Sequence, residues 1–459
     1  MQKTDIIKTV DNIDKEVILA GWVHTSRKMG KMAFIDLRDR SAKVQVIFLP
    51  NNEDLVKRAL ELGPEYCVQI KGKVNKRPDN QVKADEPTGT VEIEALELKV
   101  LNKSETPPFE IAEENLEKEE SKEELRLKYR YLDLRREKMQ KNLKLRHDIV
   151  RFLREYLYKQ DFLEIETPYL SKSTPEGARD FLVPSRNFPG YFYSLIQSPQ
   201  QYKQMLMVGG MEKYFQVARC FRDEDQRGDR QAEFSQLDIE ISFVNQEDIM
   251  SLIQNMMTDL VKKVTPDKKF SFTKMSYNEA MDKYQSDRPD LRKNKEDKDE
   301  LAFCWVYDFP MFEKREDGSI GAVHHPFTMI HEADKEKVFQ GKLEEVKAKQ
   351  FDLVLNGEEI FGGSIRNHDP KLLSDVFTAM GHSQEEVEKQ FGHLLEAFKY
   401  GVPPHGGIAA GLDRLVMVLA GADNIRDVIA FPKTLEGKDL MMDAPAKVDP
   451  KQLKELKLS

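Results

Sequence analysis

Residues 16–98 carry five short strand-like runs with one helical run after the third, an order few folds accept. The runs are EVILAGWVH (16–24), MAFIDLRD (32–39), KVQVIFL (43–49), YCVQIKGKV (66–74) and TVEIEALEL (90–98), and NEDLVKRALEL (52–62) is the helical one. β-Branched and aromatic residues recur in them with period two, so each strand buries one face. This order predicts an OB-fold, a small barrel that offers single-stranded nucleic acid a basic groove and stacking rings. His24, Arg27, Lys28 and Lys31 make one loop basic. Phe34 follows them and reads equally as a stacking ring or as barrel filling.

The chain has 459 residues, enough for about three domains. Its 40% hydrophobic and 33% charged residues describe a globular protein rather than a disordered one. No run approaches the ~18 apolar residues of a membrane span. The start, MQKTDIIKTVDNIDKE, has no apolar signal core. Cys67, Cys220 and Cys304 lie far apart, which predicts a reducing cytoplasm and neither a disulfide framework nor a zinc site. A net charge of -9 argues against indiscriminate nucleic-acid binding but leaves room for a local basic surface.

Beyond the barrel (1–103), residues 104–138 read as a linker and hinge. They pass from TPPFEIAEENLEKEESKEE, taken as solvated, to a basic helical run, LRLKYRYLDLRREKMQ. Residues 139–459 read as one larger domain. Ile149, Phe152, Leu153, Tyr156 and Leu157 recur at helical spacing, and FLEIETP is then predicted as a strand. Helices and strands alternate irregularly afterwards, without a βαβ rhythm, a GxGxxG or a GxxxxGK[ST] motif. That argues against Rossmann and P-loop sites and predicts an α+β class.

Phe221–Phe243, FRDEDQRGDRQAEFSQLDIEISF, packs Arg222, Arg227 and Arg230 among five acids and ends in an alternating strand. A solvated hairpin is the ordinary reading of such a charge run; a site holding a polyanion with a metal is the other. TPEGARDFLVPSR (174–186) is a polar loop, and QSPQQYKQ (197–204) sets Gln200 and Lys203 about one helical turn apart. In FDLVLNGEEIFGGSIR (351–366), Asn356-Gly357 signals a tight hairpin. A regular ladder across it faces Val354 with Glu359 and places Asp352 diagonally, at roughly 7–8 Å. Two carboxylates so placed suit Mg²⁺. GIAAGLDRLVMVLAGADNIRDVIAFPKT (407–434) is a small-residue strand entering a helix near Arg414.

In this order the segments resemble the three signature motifs of the class II aminoacyl-tRNA synthetases, and most nearly the bacterial aspartyl type. FLEIETPYLSKSTPEGARDF is similar to motif 1 and its loop, FRDED…RQAEFSQLDIE to motif 2, and GLDRLVMVLAGADNIRDVIAFPKT to motif 3. HHPFT (324–328) and GGSIR (362–366) also fit. The resemblance implies an antiparallel catalytic sheet flanked by helices, a homodimer formed through motif 1, and ATP and Mg²⁺ as substrate and cofactor. L-Aspartate would be activated to aspartyl-adenylate and passed to the 3′ end of tRNA(Asp). Alternatives are a non-discriminating enzyme that also charges tRNA(Asn), or the asparaginyl relative.

The residue roles are likewise implied by the resemblance. Arg222 and Arg414 are the catalytic pair, on the α- and γ-phosphates. ATP is further met by Asp223, Glu224, Gln231, Phe234, Glu359, Gly411, Leu412 and Asp413, with Phe234 under the adenine. Asp352 and Glu359 hold Mg²⁺. Aspartate is surrounded by Glu176, Gln200, Lys203, Arg222, Gln236, Asp238, His324, His325 and Arg366. Lys203 and Arg366 face its side-chain carboxylate, and Asp238 its ammonium group. For the anticodon, Phe34 stacks on a base, Gln45 and Glu92 hydrogen-bond base edges, and Arg27 and Arg77 assist there. The chain departs from the pattern in one place. YNEAMDKYQSDRPDLR (277–292) and LAFCWVYDFPMFE (301–313) match the approach to and exit from a domain of roughly a hundred residues, but only KNKEDKDE (293–300) lies between them. The tip of the charged hairpin, Gln226–Arg230, is left for the tRNA acceptor end.

Overall fold

The computed structural model describes residues 2–112, 122–173, 177–315 and 318–458. The chain divides into two compact units, residues 1–140 and 141–459.

In the first unit five strands close into a barrel in the order β1-β2-β3-β5-β4. They are β1 (Glu16–Met29), β2 (Met32–Arg38), β3 (Lys43–Phe48), β4 (Cys67–Lys76) and β5 (Val91–Asn102). Helix α1 (Glu53–Leu60) follows β3, capped by the Asn52 side chain on the Leu55 amide. Alternate residues such as Leu19, Ile35, Val46, Ile70 and Ile93 fill the interior. Phe34 lies half-buried between the interior residues Ala33 and Ile35, so the barrel core does not claim it. The basic run after the linker is not one helix. It forms α2 (Glu123–Lys128) and α3 (Arg130–Asp133) before α4 (Glu137–Lys159) begins. Buried Asp133 collects Arg126, Arg130 and Arg136 there. Much of the acidic run lies outside the described residues.

The second unit is built on one large sheet. Its strands in chain order are β6 (Leu163–Glu164), β7 (Leu170–Ser171), β8 (Leu182–Pro184), β9 (Phe192–Leu195), β10 (Lys213–Phe221), β11 (Glu233–Ser242), β12 (Lys269–Ser276), β13 (Glu300–Tyr307), β14 (Phe312–Lys314), β15 (Ile320–Ala322), β16 (Gln350–Leu355), β17 (Glu358–Ile365) and β18 (His405–Gly411). After α4 come helices α5 (Gln200–Val208), α6 (Gln246–Val264), α7 (Tyr277–Tyr284), α8 (Lys335–Phe339), α9 (Pro370–Ala379), α10 (Gln384–Phe398), α11 (Leu412–Ala420) and α12 (Pro450–Glu455). Eight strands pair in the order β12-β13-β16-β17-β18-β11-β10-β6, antiparallel except for the outer pairs β12–β13 and β10–β6. FLEIETP contributes only Leu163–Glu164 to it, a shorter strand than its composition predicts.

The sheet's two faces differ because the strands alternate. Leu237, Ile239 and Ile241 of β11 join Phe361 and Ile365 of β17 and Ile408 and Ala410 of β18 in one core with α4, α6 and α11. The intervening residues Gln236, Asp238 and Glu240 therefore project from the opposite face. That face carries the site.

Candidate active site

Motifs 2 and 3 of the resemblance meet over the polar face of this sheet, around a cleft of ≈ 360 Å³ that no described residue of motif 1 lines. Of the residues expected at ATP or the amino acid, Gln200, Lys203, Arg222, Glu224, Gln231, Phe234, Gln236, Asp238, His324, His325, Glu359, Arg366, Gly411, Asp413 and Arg414 line it. Glu176 lies outside the described residues. Asp223 and Leu412 do not line the cleft. Asp223 is exposed, and its backbone exchanges hydrogen bonds with Arg179. The Leu412 side chain is in the core, because α11 turns its apolar face to the sheet.

At one end two cations are buried with two acids. The Lys203 ammonium donates to Asp238 Oδ1 at 2.9 Å and lies 3.6 Å from Glu240 Oε2. Arg366 donates from Nε to Glu240 Oε1 at 2.9 Å, from Nη2 to Oε2 at 3.1 Å, and from Nη1 to Ser364 Oγ at 2.7 Å. Three of its five N–H groups are thus used, and two have no partner among the described residues. Glu240 was not among the expected residues. It is fully buried, and its carboxylate fills space that a Cβ on Gly407 would occupy, 1.9 Å from Oε2. Burial opposes its charge, but Arg366 and Lys203 prevail and hold the carboxyl below its usual range. Burial raises the Asp238 carboxyl instead, and its Oδ2 has no hydrogen-bond partner. Gln236 Oε1 accepts from the Cys220 thiol at 3.2 Å.

His325 is pushed well below its ordinary pKa by burial first, then by the positive charges of Arg366, Lys203 and Arg222. Its Nε2 is unpartnered. His324 turns elsewhere, with Nε2 3.7 Å from Asp352 Oδ2.

Asp352 and Glu359 sit on the β16–β17 hairpin, which turns at Asn356 (φ 53°) and Gly357 (φ 88°). Val354 faces Glu359 as expected, but a bulge after Leu353 pairs Asp352 with Gly362 rather than leaving a regular ladder. A Cβ on Gly362 would lie 3.1 Å from Glu359 Oε1 and 3.4 Å from Asp352 Oδ1. Burial pushes the Asp352 carboxyl up to about 7, with Glu359 adding to the rise. The glycine keeps open a space between two carboxylates whose charge wants a cation. Among the described residues no cluster of three or more His, Cys, Asp or Glu forms a complete cage. Two hard oxygen donors fit Mg²⁺, which keeps waters and takes phosphate oxygens as its other ligands.

Toward the other end, the Arg222 guanidinium lies 5.0 Å from the Phe234 ring centroid, and its buried Nε has no partner. Arg414 donates to the Glu359 carbonyl at 2.6 Å and to Asp229 Oδ2 at 3.0 Å. The hairpin tip thus folds back: Asp229 and Arg230 line the cleft, and Ile425 N donates to Gly228 O. Gln231 is spent on the Lys433 backbone and Gln226. Asp413 accepts from Arg146 and from the Ser235 amide, tying α11 to β11 and α4.

In the barrel unit, Arg27 and Phe34 are directly opposed on β1 and β2. Arg27 donates to Gln45 Oε1 at 2.7 Å, and Gln45 Nε2 donates to Glu92 Oε2 at 3.3 Å. Arg77 is 3% exposed and bonded to the Val91 carbonyl, and its charge works against the rise that burial gives the Glu92 carboxyl.

Comparison with known proteins agrees with this layout. Residues 122–435 match the family described as tRNA synthetases class II (D, K and N), and residues 17–101 match the OB-fold nucleic acid binding domain. The aspartate–tRNA(Asp/Asn) ligase of Rubrobacter xylanophilus is 40% identical, over 98% of this chain and 95% of that protein. The chain belongs to the aspartate–tRNA ligases of class II. The aspartate–tRNA ligase of Staphylococcus saprophyticus is likewise 40% identical, covering 97% of each. The Rubrobacter alignment spans 575 positions against the synthetase's 459 residues, so that relative is longer. Among solved structures, the asparaginyl-tRNA synthetase of Pyrococcus horikoshii with asparaginyl-adenylate aligns at TM-score 0.75 and 25% identity, over 98% of this chain and 100% of that one. The Entamoeba histolytica aspartyl-tRNA synthetase aligns at 0.73 over 94% and 91% and, at 23% identity, attests the fold. No described helix is long and apolar enough to cross a membrane.

Proposed function

We propose that this synthetase activates L-aspartate with ATP and transfers the aspartyl group to the 3′ end of tRNA(Asp) in the cytoplasm. The observation that carries the choice of amino acid is the buried pair Lys203 and Arg366. Arg366 is held at two points by Glu240 and keeps two N–H groups for a carboxylate. Asparagine brings an amide, which places donors against donors there.

The reaction needs no protein nucleophile; alignment and charge neutralisation carry it. Aspartate lies with its side chain at Arg366 and Lys203, near neutral His325, and its ammonium group at the unpartnered Asp238 Oδ2. Its α-carboxylate then faces Arg222, whose orphaned Nε points to an anionic partner. ATP lies over Phe234 with its γ-phosphate at Arg414. Asp352 and Glu359 would hold Mg²⁺, which would supply positive charge to the pyrophosphate leaving group. In the barrel, Phe34 stacks on an anticodon base and the Arg27–Gln45–Glu92 chain meets base edges.

We assign a homodimer to the small sheet β7-β9-β8, where Leu170, Leu182, Phe192 and Tyr193, with the flanking Tyr169 and Tyr191, are exposed over the described residues of this chain. Several relatives bear the name aspartate–tRNA(Asp/Asn) ligase, which favours tRNA(Asn) as a second acceptor. The test is ATP–pyrophosphate exchange with aspartate and with asparagine, followed by aspartate charging of purified tRNA(Asp) and tRNA(Asn). Exchange that depends on asparagine and ignores aspartate defeats the assignment.

A further inference from the structure

Behind the amino-acid end of the cleft runs a chain of three polar side chains that the reaction above does not use in full. Gln200 and Gln204 stand one turn apart on α5, and His405 opens β18; Gln204 and His405 have no exposed surface. His405 Nδ1 lies 2.8 Å from the Pro403 carbonyl, which only accepts, so Nδ1 carries a hydrogen. Burial, with Arg366 and His368, keeps the ring neutral against the pull of Glu240. Its Nε2 is therefore an acceptor, and Gln204 Nε2 donates to it at 3.3 Å. That orientation leaves Gln204 Oε1 to accept from Gln200 Nε2 at 3.2 Å. Gln200 Oε1 accepts no hydrogen bond among the described residues, and Gln200 lines the cleft.

We propose that Gln204 and His405 are positioning residues that hold the Gln200 amide with its carbonyl oxygen toward the cleft, where it accepts from the substrate's ammonium group. A backbone carbonyl at Pro403 thus sets the hydrogen-bond polarity of a group three residues away along the chain of contacts. Turning the Gln200 amide over would bring two acceptor oxygens together at Gln204 and present an N–H to a cation. The inference rests on the reading that this end of the cleft binds an amino acid.

The test is ATP–pyrophosphate exchange by the full chain carrying Gln204→Met, of similar volume, His405→Leu, His405→Gln, which keeps an acceptor, and Gln200→Ala. Gln204→Met and His405→Leu are expected to raise KM for aspartate about tenfold while KM for ATP stays within about twofold. His405→Gln is expected to restore KM for aspartate to within about threefold of the parent. Adding Gln204→Met to Gln200→Ala is expected to cause no further rise. An unchanged KM for aspartate in Gln204→Met overturns the inference, as does an equal rise in KM for ATP, which marks a structural role only. Should Gln204→Met not fold, the contrast between His405→Leu and His405→Gln decides in the same way. An unchanged KM for aspartate in Gln200→Ala instead defeats the placing of the amino acid beside Gln200, and the inference with it.

Discussion

Arg366 and Glu240 meet at two points, Nε on Oε1 at 2.9 Å and Nη2 on Oε2 at 3.1 Å, with both side chains buried. A guanidinium gripped along one edge cannot rotate, so its remaining N–H groups have a fixed direction. Lys203 shares the same carboxylate at 3.6 Å, so removing Glu240 leaves two buried cations with only Asp238 between them.

Glu240→Gln is expected to lower folding stability by about 3–5 kcal/mol, the cost of breaking a buried charge network from one side. Urea unfolding at neutral pH measures it. A loss under about 1 kcal/mol would show the cations to be neutralised elsewhere.

Arg366→Leu is expected to reduce aspartate-dependent exchange on the order of 10²-fold or more, with ATP affinity nearly unchanged. Near-normal exchange in that variant removes Arg366 from amino-acid selection.

The pH dependence of folding follows from His325. Its folded pKa lies well below 6.5, so the native state holds it neutral while the unfolded chain takes up a proton. That contribution is fully present above pH 6.5 and is lost as pH falls toward the folded value. His325→Phe is expected to flatten the slope of unfolding free energy between pH 6.5 and 5 by up to about 1.4 kcal/mol per pH unit. Equal slopes in the two proteins would place the titrating group elsewhere.

Asp352 has the opposite sign. Its carboxyl is raised from 3.8 to about 7, so its contribution is fully present below pH 3.8 and lost as pH rises through about 7. In EDTA at pH 8, Asp352→Asn is expected to be more stable than the parent by about 1–3 kcal/mol, while Mg²⁺-dependent exchange collapses. Thermal melts with and without Mg²⁺ separate the two effects.

Phe34→Ala is expected to cost about 1–3 kcal/mol of tRNA recognition, read as a ten- to hundredfold fall in kcat/KM for tRNA. ATP–pyrophosphate exchange reports on the other unit and is expected to stay at the parent level.

The barrel strands were legible because local alternation is enough to find them, and Asn356-Gly357 announced its hairpin for the same reason. Glu240 escaped notice although the signal was present: it is two residues after Asp238 and so shares its face of β11. Its partner Arg366 lies 126 residues away, and no local pattern joins them. The bulge after Leu353 was illegible for a similar reason, since an extra residue in one strand shows only against its partner. No local pattern shows that Arg77 is buried against the Val91 carbonyl; only the tertiary structure does. Gln204 and His405 carry no motif; their meaning lies in which atoms donate.

The contact between Arg414 and Asp229 changes what anion binding means at that end of the cleft. The guanidinium already has a tethered counter-ion, supplied by the same hairpin that carries Arg222. On the proposed placing of the γ-phosphate at Arg414, a phosphate arriving there would exchange with a carboxylate instead of capturing a hydrated cation. Asp229 would be displaced by the very act that seats the nucleotide while the Ile425 amide still holds the Gly228 carbonyl, so occupancy of the site would be passed to the hairpin through one side chain.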